Sequence, residues 1–150
     1  MVRFFLFLFA APAFAAEPFA YAGIGLDATA ASLQPKFPNS KLAGNSLQIV
    51  DKDSRDHVYG VQLPGTRKPR SVRVTFERPG GSRPAHPKCK VVEARLRAGF
   101  GAPGEVRKLA DERPPRADRV WKGARETMTL VCFAGPNGEL LADSVVIAER

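Results

Sequence analysis

Beyond residue 26 the apolar positions recur at helical spacing. Asp27 reads as an N-cap, and Ala30, Leu33 and Phe37 fall on one face of the helix that would follow it. Pro35 inside that helix would cost about 3 kcal/mol, so the helix is expected to be short or kinked near Gln34. Pro38, Asn39 and Ser40 end it. Over residues 56–63 the period changes to two, with His57, Tyr59, Val61 and Leu63 on one side. A turn over 64–69 leads to a second alternating run, 71–77, where Val72, Val74 and Phe76 oppose Arg73 and Thr75. Two such runs across a Pro/Gly turn predict a half-buried hairpin.

Helical spacing returns after a Pro- and Gly-rich loop over 78–84. Pro87 fits the first turn, Cys89, Val92, Leu96 and Phe100 form the apolar stripe, and Gly99 and Gly101 close the helix. A third, shorter helix is expected from Pro103, with Val106 and Leu109 inward, ending before Pro114 and Pro115. The remainder reads as strand. Residues 119–122 pair with 126–133 across Gly123 and Ala124, and 140–148 returns as a last strand after Asn137-Gly138, a strong hairpin signal. The class is therefore α+β.

The opening residues belong to a different kind of segment. Met1-Val2-Arg3 supplies a positive charge, the next eight residues are wholly apolar, and Pro12 is followed by Ala13-Phe14-Ala15. This is the order of a secretory signal, with cleavage after Ala15 placing small residues at both positions the peptidase inspects. A spanning helix would need roughly 20 apolar residues, more than this run contains. Residues 1–15 are thus read as a signal peptide and 16–150 as one exported domain, in a bacterial periplasm or secreted, with no further membrane-spanning segment. Five of the ten Phe residues leave with the signal, so the remaining core is poorer in aromatic rings than the whole chain.

Two cysteines remain, Cys89 and Cys132, and an even count in an exported chain points to one disulfide. Cys89 lies on the helical stripe, and Cys132 shares a strand face with Met128 and Leu130. Closing that loop would stabilise the fold by about 4 kcal/mol. Two alternatives use the same sulfurs. His86 and Cys89 have H-x-x-C spacing, which His57 and Cys132 would complete as a zinc site, and either His could serve as base to a thiol nucleophile.

Charge is unevenly placed. The chain carries 23 Lys and Arg against 15 Asp and Glu. Residues 64–125 hold 17 basic and 6 acidic side chains, a net +11, while the flanks after Ala15 sum to about −4. A basic middle can meet an anionic surface or polymer, with Arg67, Lys68 and Arg70 as its densest turn. Nucleic acid is excluded as partner by export and by the lack of aromatic residues among the basic ones. The bland alternative is a solvated Arg-rich surface. Trp121, the one tryptophan, reads either as a binding anchor or as core beneath the helices.

No motif for catalysis or for a cofactor appears. Gly-x-Ser-x-Gly, Ser-x-x-Lys and His-Glu-x-x-His are absent, and Gly23-Ile24-Gly25 lacks the third glycine of a dinucleotide fingerprint. The run from Asp51 to Asp56 sets Asp51 and Asp53 at alternate positions as a calcium loop might, with Asp56 following, but without the central Gly or terminal Glu that such a loop needs. An exported hydrolase would require a pocket that sets His57 or His86 beside a carboxylate.

The two halves read alike, each giving a helix and then strands, which suggests repeats over 23–78 and 85–149. Leu33-x3-Phe37-Pro38 echoes Leu96-x3-Phe100-Gly101. The run Leu96-Arg97-Ala98-Gly99-Phe100-Gly101-Ala102-Pro103, the following Val120-Trp121 and the strand from Thr127 to Leu130 resemble exported proteins of the β-lactamase-inhibitor-protein type. They also resemble small outer-membrane assembly lipoproteins, although this chain has no lipidated cysteine. The resemblance implies short helices packed on one face of an antiparallel sheet, often in tandem, with no catalytic residues and no cofactor. It also implies action by binding a protein partner in the cell envelope.

Overall fold

The structure, a computed structural model, describes residues 17–50, 56–77 and 86–150. The expected signal peptide and most of the Asp51–Asp56 run lie outside the described residues. The described part is α+β. Its order is α1 (Ala30–Leu33), β1 (Ser40–Ala43), β2 (Ser46–Ile49), β3 (Gly60–Gln62), β4 (Ser71–Thr75), α2 (Cys89–Phe100), β5 (Glu105–Leu109), β6 (Arg116–Lys122), β7 (Glu126–Ala134) and β8 (Leu140–Glu149). The eight strands form one antiparallel sheet in the order β1-β2-β3-β4-β8-β7-β6-β5.

Local chemistry explains where elements differ from expectation. The first helix is capped by Thr29 instead of Asp27. The Thr29 hydroxyl accepts from the Ser32 amide at 3.1 Å, and the Ser32 hydroxyl accepts from the Thr29 amide at 3.0 Å. That reciprocal cap outcompetes the earlier carboxylate, and Pro35 stops the helix after one turn. The run over 56–63 gives only β3, because His57 sits at φ +54 and breaks the extended backbone before Val58 and Tyr59. β1 and β2 have no counterpart in the sequence pattern. They close on each other through Gly44 at φ +60 and Asn45, with Leu47 and Ile49 buried.

The expected third helix is instead an edge strand. β5 pairs with β6 from Glu105↔Val120 to Leu109↔Arg116. A segment this short leaves most helical backbone groups unsatisfied, whereas β6 offers a ready ladder. Val106 is consequently 53% exposed instead of inward.

One apolar cluster holds these parts together. Met128, Leu130 and Cys132 of β7, Val145 and Ile147 of β8, and Val72 and Val74 of β4 meet Cys89, Val92 and Leu96 of α2 and Leu33 of α1. Phe100 packs edge-on to Phe19, with ring centroids 5.2 Å apart. Register is even until Val131↔Ser144, then shifts to Cys132↔Ala142, so Asp143 is an extra residue on β8. Such a bulge re-aims side chains. Here it sends Ala142 inward beside Cys132 and leaves Asp143 at the other face.

Glu93 ties α2 to the sheet. It accepts from Arg97 at 2.8 and 2.9 Å and from Arg119 of β6 at 2.9 Å. Burial alone would raise its pKa, but the two guanidinium groups outweigh burial and hold it below the ordinary 4.5. A lowered folded pKa adds stability that is complete above the unfolded value and is lost as pH falls through the folded one. Denaturant midpoints should therefore fall as the pH drops from about 5 to about 3. Glu93→Gln should cost about 1 kcal/mol at pH 7, a modest figure because solvent screens the Arg97 arm, and should flatten part of that acid dependence. An unchanged pH profile in the variant would count against this role.

Candidate binding site on the open sheet face

The sulfurs settle one set of alternatives. Cys89 and Cys132 form a disulfide with Cα atoms 5.9 Å apart, and their residues are 1% and 0% exposed. Bonded to each other and sealed in the core, they serve neither as zinc ligands nor as a nucleophile. Among the described residues no group of three or more His, Cys, Asp and Glu side chains converges as a metal site. His86 lies beside the sheet, its Nδ1 3.0 Å from the Ala142 carbonyl oxygen and its ring edge-on to Phe133. Asp56, the described end of the acidic run, is paired with Arg95 at 2.7 Å.

Trp121 lies inside the molecule. It is 3% exposed, sits opposite Met128, and donates its indole N–H to the Gly101 carbonyl at 2.9 Å. That leaves it no surface to offer a partner.

The candidate surface is the other side of the sheet. By alternation and register, the side chains opposite to the core form rungs: Gln62, Arg73, Val146, Thr129 and Val120 across five strands, then Thr75, Ser144 and Val131. Among the described residues no helix covers this face. At the β5 edge Glu105 bridges Arg107 and Lys122 at 2.6 and 2.9 Å. The Arg107 hydrogen bond and then that to Lys122 hold its carboxyl at about 2.

Two clefts open on this face. The first is lined by Asn45, Gln62, Arg67, Arg70, Ser71 and Arg73, with no carboxylate among its lining residues. Asn45 steadies one wall by donating to the Leu63 carbonyl at 2.6 Å. Arg70 is oriented by Glu149, which accepts from its backbone amide at 3.0 Å and its Nε at 2.8 Å. Those two bonds, the backbone one first, hold the Glu149 carboxyl below its ordinary range. Arg73 reaches Ser144 Oγ at 3.4 Å and lies 3.9 Å from Asp143. The second cleft adjoins across Arg73 and is lined by Glu112, Arg113, Arg116, Val131, Phe133 and Asp143. Arg116 is paired there with Asp118, Nη2 to Oδ2, at 2.5 Å. Neither cleft is lined by His57 or His86.

Of the residues singled out by sequence, Arg67 and Arg70 thus come together. Lys68 is exposed next to them without lining the cleft, and Trp121 belongs to the core. Arg73, Arg116 and Phe133 join the site without having stood out in the sequence. Their signal is the polar or outward half of each alternating strand, which a search for buried stripes passes over.

No helix among the described residues is long and apolar enough to cross a membrane. Compared with known proteins, the chain matches no family model, no curated protein and no solved structure.

Proposed function

We propose that this chain is an exported, non-catalytic binding protein of the bacterial envelope, released after Ala15, whose open sheet face contacts another protein. The observation that carries this reading is the asymmetry of the sheet. One face is consumed by the core and the disulfide-clamped α2. The other carries half-buried Thr129 and Val146 beside two arginine-lined clefts, with Val120, Val131 and Ser144 buried beneath, a polar and charged surface left free by the core. Arginine is enriched at protein interfaces. A buried disulfide suits an oxidising compartment.

The resemblance to β-lactamase-inhibitor-type and outer-membrane assembly proteins belongs to the same proposal. Two features support the tandem reading. Each half runs as one helix and then four strands, and the strand order is mirrored about the β4–β8 seam. Leu33 and Leu96 are both buried, with Phe37 and Phe100 packed on the same cluster. The alternative that the face meets an anionic polymer is favoured by one observation, the acid-free lining of the first cleft.

Photo-crosslinking tests the proposal. A benzophenone amino acid replaces Thr129 on the open face or Val91, 41% exposed on α2, in full chain expressed with its leader. One defined protein adduct from position 129 and none from 91, on a chain whose native N-terminus is Ala16, is the expected result. No adduct, equal adducts from both positions, or a chain retaining Met1 would sink it.

A further inference from the structure

We propose that the two clefts form one continuous site for an acidic polypeptide segment. A carboxylate would enter among Arg67, Arg70 and Arg73, and a neighbouring apolar or aromatic side chain would lie over Phe133 and Pro114. The inference rests on the open face being the contact surface, as proposed above, and adds the chemistry of what it contacts.

Arg73 makes the site continuous, since its side chain lines both clefts. On its one side, Arg67, Arg70 and Arg73 line a space with no carboxylate in its lining. Arg70 has its Nε committed to Glu149, and Asp143, the ion-pair partner of Arg73 among the described residues, is a loose 3.9 Å away. Planar guanidinium forks match a carboxylate in two-point geometry. Ser71 and Gln62 add polar groups beside them.

The second cleft differs in kind. Its arginines are offset by Glu112 and Asp143 in the same lining, and Arg116 is already paired with Asp118. What it offers is the apolar surface of half-buried Phe133 and exposed Pro114, with Val131 buried beneath them. A uniformly anionic polymer crossing both clefts would lay charge against Glu112 and Asp143, and like charges at such range repel. A peptide that is acidic at one end and apolar at the other meets complementary chemistry along its whole length. Charge complementarity therefore selects an acidic peptide over a polyanion. The bulge at Asp143 contributes by setting that carboxylate at the boundary.

Selection from a displayed library of random short peptides, on the intact oxidised protein, tests this directly. Enriched peptides should carry Glu or Asp next to Leu, Phe or Trp. Their binding should weaken about tenfold or more in Arg67→Ala/Arg73→Ala and stay unchanged in Lys90→Ala, on the solvent side of α2. Melting of both variants by circular dichroism verifies that they fold, and heparin and polyphosphate serve as competing probes. No enriched peptide, peptides without carboxylates, or binding indifferent to the double substitution would overturn the proposal. Tight heparin or polyphosphate binding lost in that variant would replace it with a polyanion site. If position 129 captures a protein whose binding ignores Arg67 and Arg73, the acidic-peptide site falls and the protein-binding reading stands. Acidic peptides bound in the cleft with no protein captured would keep the cleft's chemistry and remove the envelope partner.

Discussion

Replacing Cys89 and Cys132 together by alanine is expected to lower the unfolding free energy by about 4 kcal/mol. The bond spans 43 residues, so cutting it frees a long loop in the unfolded chain. The same loss should lower the melting temperature by about 12 °C. Because both residues are buried against α2 and β7, alanine also removes packing, and the variant should be slightly less stable than reduced wild type. Urea titrations of oxidised, reduced and double-variant protein separate the two contributions. Reduced protein that unfolds at the oxidised midpoint would show the bond to be thermodynamically idle. A domain of this size has about 5–15 kcal/mol in all, so a loss on this scale would leave the reduced fold marginal. Such a dependence on oxidation is compatible with an exported setting.

How far the sequence foretells the structure varies along the chain, for physical reasons. The second half is the more readable. A stripe at Cys89, Val92 and Leu96 fits only a helix lying on a core, and Asn137-Gly138, with Gly138 at φ +75, fixes the turn between β7 and β8. The first half carries weaker signals. β2 shows only Leu47 and Ile49 as inward residues, too few to stand out as a period. The cap at Thr29 uses a serine where the usual pattern has Glu or Gln. β5 reads as a helix because Val106 and Leu109 have the spacing of a helix face by chance, while the ladder that decides the matter comes from β6, which only folding brings alongside.

The site is legible in part for the same reason. A local run of charge exposes Arg67 and Arg70. Arg73, however, reads merely as the solvent side of a strand until register places it beside Val146. Phe133 meets Arg116 only because β6 pairs there with β7, and Asp143 reaches the cleft only through the shift between Val131 and Cys132. A bulge has no local sequence mark here, and sheet order is a long-range property. The cleft therefore emerges only in three dimensions.

Trp121→Ala is expected to destabilise the protein by about 3–5 kcal/mol, the usual cost of deleting a buried large aromatic ring. The ring is 3% exposed opposite Met128, which is 0% exposed, so little surrounding structure can move in to fill the space. A second loss is polar. Gly101 ends α2 at φ 74 and ψ −166, and its carbonyl takes the indole N–H at 2.9 Å. Without that donor the carbonyl at the helix end loses its partner. Trp121→Phe keeps most of the apolar area and removes the hydrogen bond, and should cost about 1–2 kcal/mol. Far-UV circular dichroism in urea is the suitable probe, since either change removes the only tryptophan signal. The conservative variant also separates core from interface. Trp121 faces α2 and the proposed contact surface is behind it, so Trp121→Phe should leave adduct formation at position 129 unchanged. A variant that stays folded yet loses the adduct would place this ring in the contact after all, and would turn the assignment of the two sheet faces around.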